Sequence, residues 1–145
     1  MEKVLPSKLQ SPTGIVDRSV LDSAKVIALY FSALWCKPCK EFTPKLVKMY
    51  EEANRTDTQF QVILVSGDLT DSDFDEYYKT MPWLAVPFDD EAGGDLATVH
   101  KVTNMPVLIL VDKDGNVKKD RAHKDIMDNP TKPLNEIFES WKTLY

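Results

Sequence analysis

Three short runs of apolar residues predict the strands at the centre of the fold. They occupy residues 26–31, 60–66 and 107–111. Apolar side chains at consecutive positions, without the alternation of a half-exposed strand, are typical of strands buried on both faces. We therefore expect these runs to lie in the interior of one sheet.

Between the first two runs, the apolar residues recur every three or four positions, which is the period of a helix with one buried face. This helix is predicted to begin at Cys36, and its apolar face carries Cys39, Phe42, Leu46, Met49 or Tyr50, and Ala53. Pro38 is compatible with the first turn, where a missing N–H has no partner to lose. Pro44 lies deeper, and its missing N–H predicts a kink.

Further helices are predicted after a cap at Thr70 or Asp71, over residues 91–101, and near the end of the chain over residues 134–144. Residues 112–116 predict a hairpin turn, and residues 14–17 a short strand. Strands that alternate with helices indicate parallel pairing, to which the hairpin adds an antiparallel edge. The predicted fold is therefore α/β, with a central mixed β-sheet flanked by helices. Residues 1–25 are expected to form an N-terminal extension packed on the domain of residues 26–145.

Composition and charge exclude several classes of function. The chain has 145 residues, enough for one domain, with 18 basic and 23 acidic side chains and a net charge of −5. This acidic balance argues against a nucleic-acid partner, which requires a basic surface. No apolar run is long enough to span a membrane, and residues 1–6 lack the apolar stretch of a secretion signal. We expect a cytoplasmic monomer, with the nucleus as an alternative compartment.

The candidate chemistry lies at Cys36 and Cys39, which are the two cysteines of the chain. A thiol at a helix N-terminus is close to free backbone N–H groups, which stabilise a thiolate. Lys37 and Lys40 add positive charge, so the pKa of the Cys36 thiol should lie below its reference value of about 8.5. Cys39 is one turn further along, on the apolar face, and should be shielded. The pattern predicts that Cys36 attacks a disulfide and that Cys39 resolves the mixed disulfide, with Pro38 stiffening the ring.

Two other interpretations of the cysteine pair were weighed. A zinc site would need two more ligands, and the two histidines, His100 and His123, lack the spacing of a known site. We therefore expect no metal. The pair could also belong to the core without any redox role, but its position at a helix start beside Trp35 favours redox chemistry.

Pro106, just before the third apolar run, is the second candidate feature. From the residues alone a trans Met105–Pro106 bond is favoured, because few X–Pro bonds are cis. A cis bond would instead turn the backbone of Met105 towards a peptide held against Cys36. Elsewhere, Trp83 is expected to be a packed aromatic side chain, and Arg121 and His123 are expected to be solvated. Asp68, just past a strand end, is a candidate for proton transfer.

Residues 35–40 have the sequence Trp-Cys-Lys-Pro-Cys-Lys and follow an apolar strand. They resemble the active site of the thioredoxin superfamily. Residues 30–44 and 77–88 are more specific and are similar to the tryparedoxin and nucleoredoxin branch. The resemblance extends from about residue 26 to about residue 130. It implies a thioredoxin-like fold, with Cys36 as the nucleophile, Cys39 as the resolving thiol and a cis Pro106 beside them. The implied substrate contacts are Trp35, Lys37, Pro38, Met105 and Pro106, with Trp83 and Arg121 as secondary candidates.

The chain departs from the tryparedoxin pattern at several positions. Lys37 replaces a proline, Gly67 replaces a tryptophan before Asp68, and His123 stands where an arginine is common. These departures weaken the expectation that trypanothione is the reductant. Tyr30 replaces the buried acid of thioredoxins, so proton transfer to Cys39 would need another group or water. In addition, Val107 replaces the usual threonine.

The resemblance implies a thiol-disulfide oxidoreductase that reduces protein disulfides, including those of a peroxidase. No bound cofactor is expected beyond the Cys36–Cys39 disulfide, since an external dithiol or a reductase would supply the electrons. The alternative is a nucleoredoxin-like adaptor whose binding of partner proteins is redox-regulated.

Overall fold

The structure is a computed structural model that describes residues 5–145. What we expected of residues 1–4, including the start of the N-terminal extension, lies outside the described residues. The three apolar runs form strands as predicted, and the helices fall between and after them. Within residues 5–145, no helix is both long and apolar enough to cross a membrane.

The elements follow one another in the order strand, strand, strand, helix, strand, helix, strand, helix, strand, strand, helix, helix. Their bounds are β1 Lys8–Ser11, β2 Gly14–Asp17, β3 Val26–Ser32, α1 Lys37–Ala53, β4 Phe60–Ser66, α2 Asp71–Tyr78, β5 Leu84–Ala85, α3 Ala92–Val99, β6 Val107–Val111, β7 Val117–Lys119, α4 His123–Met127 and α5 Leu134–Lys142. A single turn of 3₁₀ helix, Arg18–Leu21, precedes β3.

The strands form one seven-stranded sheet in the order β2-β1-β5-β4-β3-β6-β7. β4 pairs in parallel with both β3 and β5, whereas β6 is antiparallel to β3 and to β7. The predicted mixed sheet is therefore confirmed. β1 pairs with β5 and with β2, so strands of the N-terminal extension join this same sheet.

Successive residues of each central strand contribute to different cores, one on each face of the sheet. In β3, Ala28 and Tyr30 pack into a core that also takes side chains from α1, α2, α4 and α5. The intervening Leu29 and Phe31 pack on the other face, in an aliphatic core that includes Leu96 of α3. Burial on both faces explains why these strands are continuous apolar runs.

Several predicted details need correction. The helix expected over residues 91–101 is shorter, and the short helix α4 was not predicted. α1 includes Pro44 and runs as one element from Lys37 to Ala53, with Asn54 as its C-cap residue, and the kink expected at Pro44 stays a prediction. The hairpin turn is confirmed, since the carboxylate of Asp112 accepts the backbone N–H groups of Asp114 and Asn116.

Candidate active site

Cys36 lies at the end of the loop that leaves β3 and is the N-cap residue of α1. Its extended backbone, with φ −94° and ψ 109°, directs its sulfur towards the open N–H groups of the first turn. The Sγ atom accepts the backbone N–H of Cys39 at 3.3 Å. The same N–H would stabilise a thiolate at this position once the cysteines are reduced.

Cys36 and Cys39 form a disulfide, with their Cα atoms 5.3 Å apart, so the structure describes the oxidised form. Cys36 is 6% exposed and Cys39 is 0% exposed. The expected shielding of Cys39 is confirmed, and Cys36 is also largely covered in this oxidised form. Lys37 and Lys40 are exposed on either side of Cys39, where they add positive charge to this end of the helix.

The Met105–Pro106 peptide bond is cis. The expectation from base rates was therefore wrong, and the one drawn from the family resemblance is confirmed. The carbonyl oxygen of Met105 lies 3.7 Å from the Sγ of Cys36. Met105 also packs against a small buried cluster of Ala33, Cys36 and Cys39. The carbonyl of Met105, a residue in neither a helix nor a strand, thus lies directly beside the disulfide.

A groove of about 410 Å³ runs between the two loops that carry Cys36 and Met105. Its walls are Trp35, Cys36, Lys37 and Pro38 on one side and Val102, Thr103, Asn104 and Met105 on the other. The residues expected to contact substrate are therefore brought together around the disulfide, with Pro106 following Met105. An extended peptide could place a half-cystine against Cys36 in this groove.

Trp35 is 64% exposed beside the disulfide, and its indole Nε1 donates to the carbonyl of Gly67 at 3.3 Å. The next residue, Asp68, accepts the backbone N–H of Leu34 and the hydroxyl of Ser66, both at 2.8 Å. The carboxylate of Asp68 thus ties the loop after β4 to the loop before Cys36. These contacts position the two loops relative to each other, and the proton transfer considered from the sequence stays a prediction.

A cluster of buried hydroxyl groups lies on the inner side of Cys39, and sequence analysis did not find it. Thr43 donates from Oγ1 to the carbonyl of Cys39 at 2.8 Å. The same Oγ1 is 2.7 Å from the hydroxyl of Tyr30 and 3.0 Å from that of Tyr77, which also bonds to Ser32. Burial raises the pKa of Tyr30, so its phenol stays protonated at neutral pH. The cluster holds the first turn of α1 against the sheet.

Three further candidates lie away from the groove, and two of them, His123 and Arg121, are less solvated than expected. Trp83 is 1% exposed in the core beside Tyr30, which confirms the packed aromatic and removes it from the candidates for substrate contact. His123 is also buried rather than solvated, and its Nδ1 accepts the backbone N–H of Leu108 at 3.1 Å. Arg121 is half-buried and donates to the carbonyls of His100 and Lys101, so it braces a loop.

Within residues 5–145, no group of three or more His, Cys, Asp or Glu side chains is arranged to hold a metal ion. The reactive groups of the site are the sulfurs of Cys36 and Cys39. A disulfide at a helix N-terminus, beside the carbonyl of Met105 and a groove, is arranged for exchange with a thiol or dithiol, and the reduced pair for exchange with a disulfide.

Comparison with known proteins agrees with this arrangement. A family model described as Thioredoxin-like matches residues 23–117. The tryparedoxin of Trypanosoma brucei brucei is 38% identical over 134 residues, covering 90% of this chain and 92% of that protein. Probable nucleoredoxin 1 of Arabidopsis thaliana is 45% identical over 91 residues, covering 63% of this chain. The match spans only 16% of that nucleoredoxin, so the chain is similar to one part of a much longer protein.

Solved structures of tryparedoxins are also similar to this chain. Tryparedoxin from Trypanosoma brucei superposes with a TM-score of 0.78 at 38% identity, covering 88% of this chain and 90% of that one. A tryparedoxin II structure described as complexed with glutathionylspermidine superposes with a TM-score of 0.75 at 33% identity. That match covers 87% of this chain and 88% of the other.

Proposed function

Because the chain belongs to the tryparedoxin and nucleoredoxin branch of the thioredoxin superfamily, we propose that it is a thiol-disulfide oxidoreductase that reduces protein disulfides. One observation carries the proposal: the Cys36–Cys39 disulfide caps α1 directly beside the cis Met105–Pro106 bond and opens into a groove. The proposal assigns the nucleophile to Cys36 and the resolving thiol to Cys39, beside the backbone carbonyl of Met105.

In the proposed cycle, the Cys36 thiolate attacks one sulfur of a substrate disulfide. The substrate S–S bond breaks, the departing substrate sulfur takes a proton, and a mixed disulfide to Cys36 remains. Cys39 then attacks the Sγ of Cys36, which releases the second substrate thiol and forms the Cys36–Cys39 disulfide. An external dithiol returns two electrons, so the protein needs no bound cofactor.

The groove supports a polypeptide as the substrate. The carbonyl of Met105, 3.7 Å from the Cys36 sulfur, lies where the backbone of an extended chain would pass. Main-chain pairing of this kind holds a peptide without regard to its sequence, while side-chain contacts add specificity. Trp35 and Pro38 offer apolar surface for the residues that flank the half-cystine. We propose that protein disulfides, including that of a peroxidase, bind in this way.

The electron donor is proposed by chemical class only. The complex of tryparedoxin II with glutathionylspermidine supports a low-molecular-weight thiol as donor. Gly67 and His123, which depart from the tryparedoxin pattern, favour testing protein reductases alongside small thiols. A reductant of disulfides works where thiols are kept reduced, so we propose a cytosolic or nuclear location.

The proposal is tested by following insulin reduction with dithiothreitol as donor. We expect turnover by the wild-type protein and background turnover by Cys36→Ser, because the serine hydroxyl cannot form the mixed disulfide. Repeating the assay with trypanothione, glutathione, and thioredoxin reductase with NADPH would rank the donors. A wild-type rate equal to that of Cys36→Ser with every donor would contradict the proposed function.

A redox-regulated adaptor is the second candidate, favoured by the 45% identity to part of a long plant nucleoredoxin. An adaptor should bind a partner in one redox state and turn over slowly. Pull-down by the oxidised and reduced wild-type protein separates the two functions. A partner retained by only one redox state of the wild-type protein, without insulin turnover, would favour the adaptor.

A further inference from the structure

The backbone conformation at position 67 does not require a glycine. Among the described glycines, positive φ angles occur at Gly14 and Gly115, and Gly67 is outside that region. Any L residue could adopt its conformation. Its N–H donates to the carbonyl of Ser32 at 2.9 Å, a contact that a side chain would leave intact. The reason for a glycine at this position must therefore lie in the space around it.

That space is filled by the side chain of Met105. A Cβ atom built on Gly67 would overlap the Cε methyl of Met105 and lie 3.1 Å from its sulfur. It would also lie 3.7 Å from the Cβ of Ala33, an ordinary contact. Met105 is thus the neighbour that a side chain at position 67 would displace.

Met105 connects this contact to the reactive centre. Its side chain packs on the cluster of Ala33, Cys36 and Cys39, and its carbonyl faces the Cys36 sulfur. It also lines the groove opposite Trp35, whose indole is fixed by the carbonyl of Gly67. A methionine displaced from Gly67 has the open groove beside it, since the other side is closed by the buried cluster.

We propose that Gly67 and Met105 form a steric pair that determines which substrates enter the groove. With no side chain at position 67, the thioether of Met105 lies against the Gly67 backbone, and the groove stays wide enough for a polypeptide beside Cys36. Gly67 acts through Met105 and is a positioning residue for selectivity towards polypeptide disulfides over small ones. This inference rests on the proposed function and deepens it.

Gly67→Ala tests the pair without unfolding the protein. The clashing atom is the end of a flexible side chain, which can rotate away at little expense to stability. We expect the KM for insulin to rise by about two- to tenfold, the range expected when one long side chain must be reordered on binding. The kcat should change little, because the two sulfurs are untouched. The rate with hydroxyethyl disulfide should also change little, because this substrate needs only the mouth of the groove.

Two controls isolate the pair. Gly94→Ala is the matched variant, because a Cβ there meets no atom within 4 Å, and it should leave all rates unchanged. In a Met105→Ala background, Gly67→Ala should have no further effect on the KM for insulin, since the displaced group is gone. A rise in KM that persists in the double variant would overturn the pairing, as would an unchanged KM in the single variant.

A measurement on the protein without substrate separates this inference from the proposed function. In protein carrying ¹³C-methyl methionine, the Met105 signal is assigned by its loss in Met105→Ala. Gly67→Ala should shift this signal and leave those of Met49 and Met81 in place, whereas Gly94→Ala should shift none of them. If wild type fails to reduce insulin, the proposed function is wrong, and the methyl spectra still decide whether the two residues are coupled. An unmoved Met105 signal overturns the inference.

Discussion

The two ends of the central sheet are built differently. At one end the chain leaves β3 and β4 through loops that carry Cys36 and Gly67, and it enters β6 through the cis Pro106. The side chains there include Trp35, which is 64% exposed, and Leu69, which is 87% exposed. Backbone carbonyls at this end face sulfur and an indole N–H rather than a neighbouring strand.

The opposite end is closed by hydrogen bonds between side chains and backbone. The hydroxyl of Tyr145 accepts the N–H of Ile27 at 3.3 Å and lies 2.8 Å from the carbonyl of Val111. The amide of Asn54, at the end of α1, bonds to the N–H groups of Gln59 and Phe60 and to the carbonyl of Phe60. We infer that this end serves stability and the other end serves chemistry. Changes at the two ends should therefore affect different measurements.

The largest effect is expected at the reactive end, from Cys39→Ser. Without the resolving thiol, exchange stops after the first attack, and Cys36 stays covalently joined to its target. Insulin turnover should be lost, and a mixed disulfide that dithiothreitol releases should accumulate. Non-reducing electrophoresis of lysate treated with the variant checks this expectation, and the Cys36→Ser/Cys39→Ser double variant is the control. Adducts of equal amount in both variants would contradict the assigned roles.

The two sulfurs of the reduced protein should themselves differ in reactivity. Cys36 is the N-cap and the more exposed of the pair, whereas Cys39 is 0% exposed. We expect iodoacetamide at neutral pH to modify Cys36 at least about ten times faster than Cys39, because the thiolate is the attacking species. Peptide mapping by mass spectrometry after a short exposure measures the ratio. Faster labelling of Cys39 would reverse the proposed order of attack.

A smaller effect, on stability alone, is expected at the closed end from Tyr145→Phe. The phenol joins the first residues of β3 to the last residue of β6, and removing it leaves the N–H of Ile27 without this acceptor. The free energy of unfolding should fall by about 1 kcal/mol, the usual net value of such a bond. Urea denaturation measures this change, and insulin turnover should be unaltered. A loss of turnover without a loss of stability would show that the two ends are not separate.

The central strands and the helix α1 were largely predictable because they depend on local pattern. In the run 107–111 and in the helical repeat from Cys39 to Met49, the spacing of the apolar residues indicates which side chains are buried. The cis bond at Pro106 was predictable only through a family resemblance, because a single X–Pro pair contains too little information to overcome the preference for trans.

The fine structure of the site could not be predicted for a different reason. Thr43 and Tyr77 are far apart in the chain, and the hydroxyl cluster exists only after α1 and α2 pack on the same face of the sheet. The contact between Gly67 and Met105 likewise joins two loops that only the sheet brings together. His123 was misplaced because a histidine between charged residues suggests a surface, whereas the short helix α4 turns it inwards.

The smallest expected effect concerns His123, which bonds to the second residue of β6 and is sensitive to pH. Burial lowers the pKa of its imidazole below the usual 6.5, and the charges of Lys124 and Arg121 act in the same direction. In addition, Nδ1 accepts the N–H of Leu108, which requires that nitrogen to be unprotonated. Above the unfolded pKa of about 6.5 both states are neutral, so His123 contributes no pH dependence there. As the pH falls below that value, the unfolded chain binds a proton that the folded protein excludes, and stability decreases.

The decrease should level off once the pH passes below the lower, folded pKa of His123. Urea unfolding midpoints measured from about pH 7 to about pH 5 follow this loss, with His123→Gln as the control, because glutamine can accept the same N–H without titrating. The stability of the variant should depend less steeply on pH than that of wild type over this range.

Because Leu108 follows Val107 at the start of β6, protonation should loosen the strand that follows Met105 and Pro106. The protection factor of the Leu108 amide, which corrects for the slower intrinsic exchange at low pH, should therefore fall on acidification more in wild type than in His123→Gln. If stability depends on pH equally in the two proteins, the imidazole of His123 does not cause the acid sensitivity of this part of the sheet.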